Sequence, residues 1–331
     1  MLRWAILGTS FISETMMRAI ATSPGSVATV VYGRDAERLE DFRTTHQIAR
    51  ATTSLEQAVA DPEIDAVYVG LPNHVHHLAT STAARAGKAV LSEKSLTVTT
   101  AQADELLGAV AGKVLFVEGL MYLAHPIITR FVEVLGDGRL GGLKAVHASY
   151  AADIWQLVNP TGGGAIYNLG CYPASFVQLV VDAVDGDGSF ERGTLTATGN
   201  VSPVDANVSE TAASMRFESG ALASIHTAET YGMTSHFEVH GERGVLAFVS
   251  NPWLPASGTN SFEWIPYGGA AERFEVTDPL DAFDHQVRMM EALVAAGRLE
   301  AQRPSPRLAD SRALITMLTE WEAAARSSHL R

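Results

Sequence analysis

Two apolar runs separated by one helix-length stretch do most to limit how this chain can fold. The first, Val67-Tyr68-Val69-Gly70-Leu71, passes through Pro72-Asn73 into a stretch carrying His74, His76 and His77. The second follows Gly87-Lys88 as Ala89-Val90-Leu91 and ends in Ser92-Glu93-Lys94-Ser95. Neither run alternates apolar with polar residues, which is the pattern of parallel strands covered on both faces. A parallel pair joined through a helix belongs to an open α/β sheet, and such a sheet holds its ligand at the carboxyl edge of its strands. Lys94 stands at that edge. An amine directly after a buried strand is a candidate acid/base group, and the competing reading is an ordinary solvated strand-end lysine.

The same alternation begins at the amino terminus. Trp4-Ala5-Ile6-Leu7 reads as a buried strand, and Gly8-Thr9-Ser10-Phe11-Ile12-Ser13 precedes a helix with Ile12, Met16, Ala19 and Ile20 on one face. Only the first glycine of Gly-x-Gly-x-x-Gly is kept, and Gly8 equally suits an ordinary strand-to-helix turn. The context adds a helix amino terminus whose free N–H groups and dipole suit a pyrophosphate. Gly8, Thr9, Ser10, Phe11 and Ile12 are therefore cofactor-binding candidates, with the Ser10 hydroxyl able to donate to a phosphate oxygen. The second strand, Val27 to Tyr32, leads into Gly33-Arg34-Asp35-Ala36-Glu37-Arg38. Where NAD sites place an acid against the ribose, this tip offers Gly33, Arg34 and, one helical turn on, Arg38. Guanidinium groups suit a 2′-phosphate, which favours NADP over NAD. The alternative is that Asp35 caps the next helix and both arginines are solvated.

Ser54 with Gln57, and Thr99 with Gln102, are spaced as capping boxes, while Gly87 and Gly112 stand where helices stop. Strand and helix alternate from Leu2 to Val117, so residues 1–121 are expected to form a doubly wound, parallel α/β domain. Residues 122–331 read differently. After a helix from Pro126 through Leu135, strands dominate: 143–151, 194–199, 211–217, 221–228, 237–240, 245–249 and 262–265. Turns at Glu218-Ser219-Gly220 and Gly241-Glu242-Arg243-Gly244 predict a second, α+β domain with a large, mostly antiparallel open-faced sheet. An open face of that size predicts a homodimer or larger assembly. Helical patterns return at 282–296 and 308–325, placed beside this sheet or back on the first domain.

Interrupting the strands is Thr161-Gly162-Gly163-Gly164, followed by Ala165 to Pro173 with Asn168 and Tyr172. Consecutive glycines permit a backbone path closed to other residues. Spaced by four, Asn168 and Tyr172 project on one face if the stretch is helical; alternatively Tyr172 is a core tyrosine and Asn168 a cap. Asp153, Trp155, Tyr122 and Tyr231 are substrate candidates, Trp155 equally a core residue. A net charge of −13 argues against nonspecific nucleic-acid binding. Cys171, the single cysteine, excludes an intrachain disulfide and fits a reducing cytoplasm. No apolar run approaches the roughly 18 residues that span a bilayer. The histidines at 74, 76 and 77 lack accompanying ligand spacing, so no metal is expected.

Taken in order, the Gly8 turn, Pro72-Asn73-x-x-His76, Ala86-Gly87-Lys88 before Glu93-Lys94, and Gly162 to Tyr172 resemble the Gfo/Idh/MocA oxidoreductases. Glu118-Gly119-Leu120-Met121-Tyr122, His125-Pro126 and Tyr172 are similar to the group holding dimeric dihydrodiol dehydrogenase, NADP-dependent D-xylose dehydrogenase and glucose-fructose oxidoreductase. The resemblance implies a Rossmann domain plus an open-sheet α/β domain. It also implies hydride transfer between NADP and a secondary alcohol or carbonyl of a sugar, ketosugar, cyclitol or diol. In that scheme Tyr172 is the proton donor and acceptor, Lys94 assists it, and Asn168 completes the catalytic set. Leu71, Asn73, His76, Glu93 and Lys94 would line the cofactor. Two departures stand out. Ser95 replaces the family's usual proline, which argues against a cis bond after Lys94, and Asn168 replaces its usual aspartate, which removes a protonatable group. Glycoside cleavage on the same scaffold and a non-catalytic dinucleotide sensor are the competing functions.

Overall fold

The computed structural model describes residues 1–329, which divide into two compact units. The first unit comprises Met1–Met121 and Phe283–Arg312. Its strands and helices alternate as β1 (Leu2–Leu7), α1 (Phe11–Thr22), β2 (Ser26–Tyr32), α2 (Ala36–Thr45), β3 (Arg50–Thr52), α3 (Leu55–Ala60), β4 (Ala66–Val69), α4 (His76–Arg85), β5 (Ala89–Glu93), α5 (Thr100–Val110) and β6 (Phe116–Gly119). All six strands are parallel in the order β3-β2-β1-β4-β5-β6. The order reverses direction at β1, so the crevice beyond the carboxyl ends of β1 and β4 is the switch point where such sheets bind ligands. Every residue of β4 and β6 is buried, as the unbroken apolar runs require. Trp4, Ile6, Met16, Ile20, Phe42, Tyr68 and Leu91 form the core, and Val287 and Met290 from the returning chain join it. Glu291 fixes that return by accepting from the hydroxyls of Ser23 and Ser26 at 2.6 and 2.5 Å. The helix starts follow local chemistry: Ser54 Oγ accepts from Gln57 N–H and Thr99 Oγ1 from Gln102 N–H.

The second unit comprises Tyr122–Ala282 and the chain from Ala313 onward. It carries α6 (Pro126–Gly136), β7 (Leu143–Ala152), α7 (Cys171–Asp185), β8 (Thr194–Val201), β9 (Val208–Arg216), β10 (Leu222–Ala228), β11 (Met233–Gly241), β12 (Gly244–Phe248), β13 (Gly258–Pro266) and β14 (Glu272–Asp278). Helix α8 (Ala282–Ala295) lies in the first unit from Phe283 on, and α9 (Leu308–His329) in the second from Ala313 on. Eight strands form one sheet, β14-β13-β12-β11-β7-β10-β9-β8, antiparallel throughout except for the parallel β7–β10 pair. One sheet face packs on α6 and α7 through an aromatic cluster in which Phe176 stacks on Phe237 at 3.9 Å and Phe131 meets Phe262 at 5.2 Å. Along β8 every second residue is exposed, so the face away from those helices carries polar side chains.

Candidate active site

At the switch point the Gly8 turn is built by a close approach of two backbones. Gly8 has φ +115°, its N–H donates to the Tyr32 carbonyl at 2.9 Å, and the Gly70 N–H donates to the Leu7 carbonyl at 2.9 Å. A Cβ on Gly8 would lie 2.6 Å from the Gly70 oxygen, so no other residue fits without moving the backbone. Ser10 is the N-cap of α1 but makes no side-chain cap hydrogen bond. Its hydroxyl donates instead to the Gly70 carbonyl at 3.1 Å, tying the start of α1 to the chain just after β4. The first-turn N–H groups of α1 thus have no side-chain cap, Phe11 beside them is two-thirds exposed, and Thr9 and Ile12 are half-buried. This cradle fits the pyrophosphate of a dinucleotide.

Gly33 is buried at the end of β2, and the exposed Arg34 follows it. Asp35 caps α2, its Oδ1 accepting from Glu37 and Arg38 N–H at 3.1 Å each. Arg34 and Arg38 are both exposed, as the capping alternative expects, and Arg38 in addition meets a backbone carbonyl. The same turn aims the Arg38 guanidinium at the Thr9 carbonyl, which accepts from Nη2 at 2.7 Å and Nε at 3.1 Å.

On the neighbouring strands the Lys94 loop is tied down from both sides. Lys94 is half-buried between buried Glu93 and Ser95. The Lys94–Ser95 peptide bond is cis, against the expectation drawn from the missing proline. The neighbouring loop is fixed by contacts distant in sequence, which local propensity does not report. His76, fully buried, places Nδ1 2.9 Å from the Ser95 carbonyl and Nε2 2.7 Å from the Leu71 carbonyl. Burial pushes its pKa down to about 4, so at neutral pH the ring holds one proton and donates to one carbonyl at a time. The Leu96 N–H donates to Glu118 Oε1 at 2.8 Å. Burial raises Glu118 to about 7 against the opposing pull of the Ser311 hydroxyl and that N–H. Burial also raises Glu93, which accepts from the Tyr68 hydroxyl at 2.8 Å. Asn73 is buried and His74 and His77 half-buried at the β4 exit. Lys88 is structural, its ammonium donating to the carbonyls of Asp61 and Ile64 at 2.7 and 2.8 Å.

In the second unit Gly163 and Gly164 both have positive φ, and a Cβ on Gly164 would lie 2.6 Å from the Val208 oxygen. That path delivers a π-helical turn, Ile166–Gly170, which runs straight into α7. Asn168 therefore sits in the wide turn and Tyr172 in the first α turn. Asn168 is not a cap: its Nδ2 donates to Glu229 Oε2 at 2.8 Å. Tyr172 is 6% exposed, edge-on to Tyr150 at 5.4 Å and tilted against Tyr122 at 5.9 Å. Tyr122 is fully buried with its hydroxyl 2.7 Å from Ser175 Oγ, a packing role. Trp155, Tyr231 and Asp153 are exposed, and Trp155 N–H donates to the Glu229 carbonyl at 3.0 Å. Sequence reading missed Glu229. Burial raises it to about 7 in spite of the Asn168 bond, with Asp205 adding repulsion. Its one sequence signal is an acid directly after Ala228, the last residue of β10.

Residues 2–118 match the oxidoreductase family with an NAD-binding Rossmann fold, and residues 128–247 match the GFO/IDH/MocA C-terminal domain. The 1,5-anhydro-D-fructose reductase of Ensifer adhaerens is 32% identical over 258 residues, covering 74% of each chain. The chain belongs to the GFO/IDH/MocA oxidoreductase family. A second member, the trans-1,2-dihydrobenzene-1,2-diol dehydrogenase of Xenopus laevis, is 27% identical over 333 residues and 96% of each chain. The family's fold is matched by KijD10, a 3-ketoreductase from Actinomadura kijaniata in complex with NADP and TDP-benzene, with TM-score 0.82, 23% identity and coverage of 99% and 97%. Among the described residues no cluster of side chains could hold a metal ion, and no helix is long and apolar enough to cross a membrane.

Proposed function

We propose that this family member is an NADP-dependent dehydrogenase or reductase acting on a CH–OH or carbonyl carbon of a polyhydroxylated, sugar-like substrate. The observation that carries the reading is the placement of Lys94 at the carboxyl edge of β5, in the same sheet whose β1 edge carries the Gly8 cradle. The relatives' names, an anhydrofructose reductase and a diol dehydrogenase, support the substrate class. The preference for NADP is supported by Asp35, whose Oδ1 is spent on a helix cap, and by the guanidinium of Arg38 beside Thr9. A nicotinamide bound there would supply or accept the hydride.

The chain's own groups handle the proton and the charge. Oxidising a carbinol requires its hydroxyl proton to leave, and reducing a carbonyl requires one to arrive. In this reading Tyr172 exchanges that proton, and the Lys94 ammonium orients the oxygen and stabilises negative charge on it. Asn168 binds a neighbouring hydroxyl through its amide, which cannot itself take a proton. Gly8, Thr9, Ser10, Phe11 and Ile12 hold the pyrophosphate, Gly33, Arg34 and Arg38 the ribose end, and Leu71, Asn73, His76 and Glu93 shape the edge that carries Lys94.

The test is titration with NADP and NAD, then a panel of aldoses, ketosugars, cyclitols and diols followed by cofactor absorbance. Lys94→Ala and Tyr172→Phe are expected to lower kcat/KM by roughly 10²-fold or more, the usual scale for removing an acid/base group, with NADP affinity kept. Wild-type rates in both variants would refute the assignment. Product formed with no net absorbance change would point to glycoside cleavage instead.

A further inference from the structure

The amide at position 168 and the acid at position 229 need each other. Nδ2 of Asn168 donates to Glu229 Oε2 at 2.8 Å, and both side chains are more than nine-tenths buried. The glutamate is also anchored through its backbone. Its N–H donates to the Ser209 carbonyl, and its own carbonyl accepts from Ile154 and Trp155 N–H, each at 3.0 Å. One residue therefore holds the amide in the π-helical turn and seats the exposed Trp155. The other acids nearby are accounted for. Asp205 bears on Glu229 as a repulsive charge, while Glu210 on β9 is engaged by Asn200 at 2.8 Å and Thr230 at 3.2 Å and faces His226.

An aspartate at 168 would set two carboxyls at hydrogen-bond distance in a site with little water. Like charges so placed cannot both ionise, and one must keep a proton. An asparagine removes the conflict and gives the carboxylate a donor. We infer that Glu229 is a positioning residue of the substrate site: once ionised it carries the negative charge that the side chain at 168 lacks, and it fixes which edge of the Asn168 amide meets a substrate hydroxyl. The inference rests on the sugar-oxidoreductase reading above.

The experiment compares wild type with Glu229→Gln, Asn168→Asp and the exchanged pair Asn168→Asp/Glu229→Gln. It records kcat and KM on the polyol and ketosugar panel from pH 5.5 to 9, and melting curves at each pH. Glutamine at 229 keeps the shape and an acceptor but neither the charge nor the titration. Glu229→Gln is expected to lose about tenfold or more in kcat/KM, the scale of a hydrogen bond to a charged group, and to flatten the wild-type pH dependence around neutrality. Asn168→Asp is expected to melt progressively lower than wild type as pH rises above 6, and the exchanged pair to recover both melting and turnover. Wild-type kcat/KM with an unchanged pH profile in Glu229→Gln overturns the inference alone, as does an Asn168→Asp variant as stable at pH 8 as wild type. A wild type inert on the whole panel overturns the proposed function, while the melting curves still decide the amide–carboxylate pair.

Discussion

Replacing Gly8 by alanine tests whether the dinucleotide turn is set by sterics. Two costs add. At φ +115° a side chain sits outside the left-handed region that even asparagine tolerates, a strain of about 1–3 kcal/mol. The new Cβ would also lie 2.6 Å from the Gly70 oxygen and 3.1 Å from its carbon. Both are backbone atoms held by the Gly70 N–H bond to Leu7, so relief means displacing β4 from β1, an overpacking cost of about 1–3 kcal/mol. A total of about 2–6 kcal/mol, at roughly 2 °C per kcal/mol for a chain of this size, lowers Tm by about 4–12 °C. The control is Gly87→Ala, where φ is +74° and no atom lies within 4 Å of the added Cβ. That variant meets the conformational cost alone, about 1 kcal/mol. Calorimetry or a fluorescence melt without ligand reads both, and NADP titration of Gly8→Ala reads the cradle, whose affinity should fall with it. If Gly8→Ala melts within 2 °C of Gly87→Ala, the close approach of the two backbones does not constrain this turn.

Arg34→Ala should raise the Kd for NADP by about tenfold, the worth of one charge-assisted bond to a phosphate, with little change for NAD. Arg38→Ala should weaken both cofactors, since its guanidinium also holds the Thr9 carbonyl; equal losses for NADP and NAD in Arg34→Ala would refute the 2′-phosphate assignment. Glu118 binds its proton more tightly folded than unfolded, so its contribution is fully present below pH 4.5 and is lost as pH rises through about 7. Glu118→Gln, which cannot ionise, should therefore show a flatter Tm between pH 5 and 8 than wild type, the underlying difference in unfolding free energy reaching roughly 3 kcal/mol. Parallel Tm curves for the two proteins would refute a buried, proton-holding Glu118.

Much of the site was legible because its cause is local. Gly8 and the helix after it follow from strand, turn and apolar periodicity, and Ser54, Thr99 and Asp35 cap the helices that begin beside them. The Gly163-Gly164 path was legible for the same reason, since only glycine adopts those φ values readily. The partner of the Ser10 hydroxyl was not, because Gly70 lies 60 residues away. The loop after Lys94 was misjudged because Ser95 lacks the ring that normally permits a cis bond, while the ties to the loop come from His76 and Glu118. Glu229 was invisible because an acid after a strand looks like any solvated one until its burial and its amide partner are known.

By itself the sequence determined the two kinds of sheet, because unbroken and alternating apolar runs bury two faces or one, and it determined which residue types were available for proton and phosphate chemistry. Tertiary structure decided which of those residues are ionised, paired or spent. Protonation and hydrogen-bond choice depend on desolvation and on partners brought from distant positions, such as 61 residues between Asn168 and Glu229 or 22 between Leu96 and Glu118, and neither is encoded in any local stretch of chain.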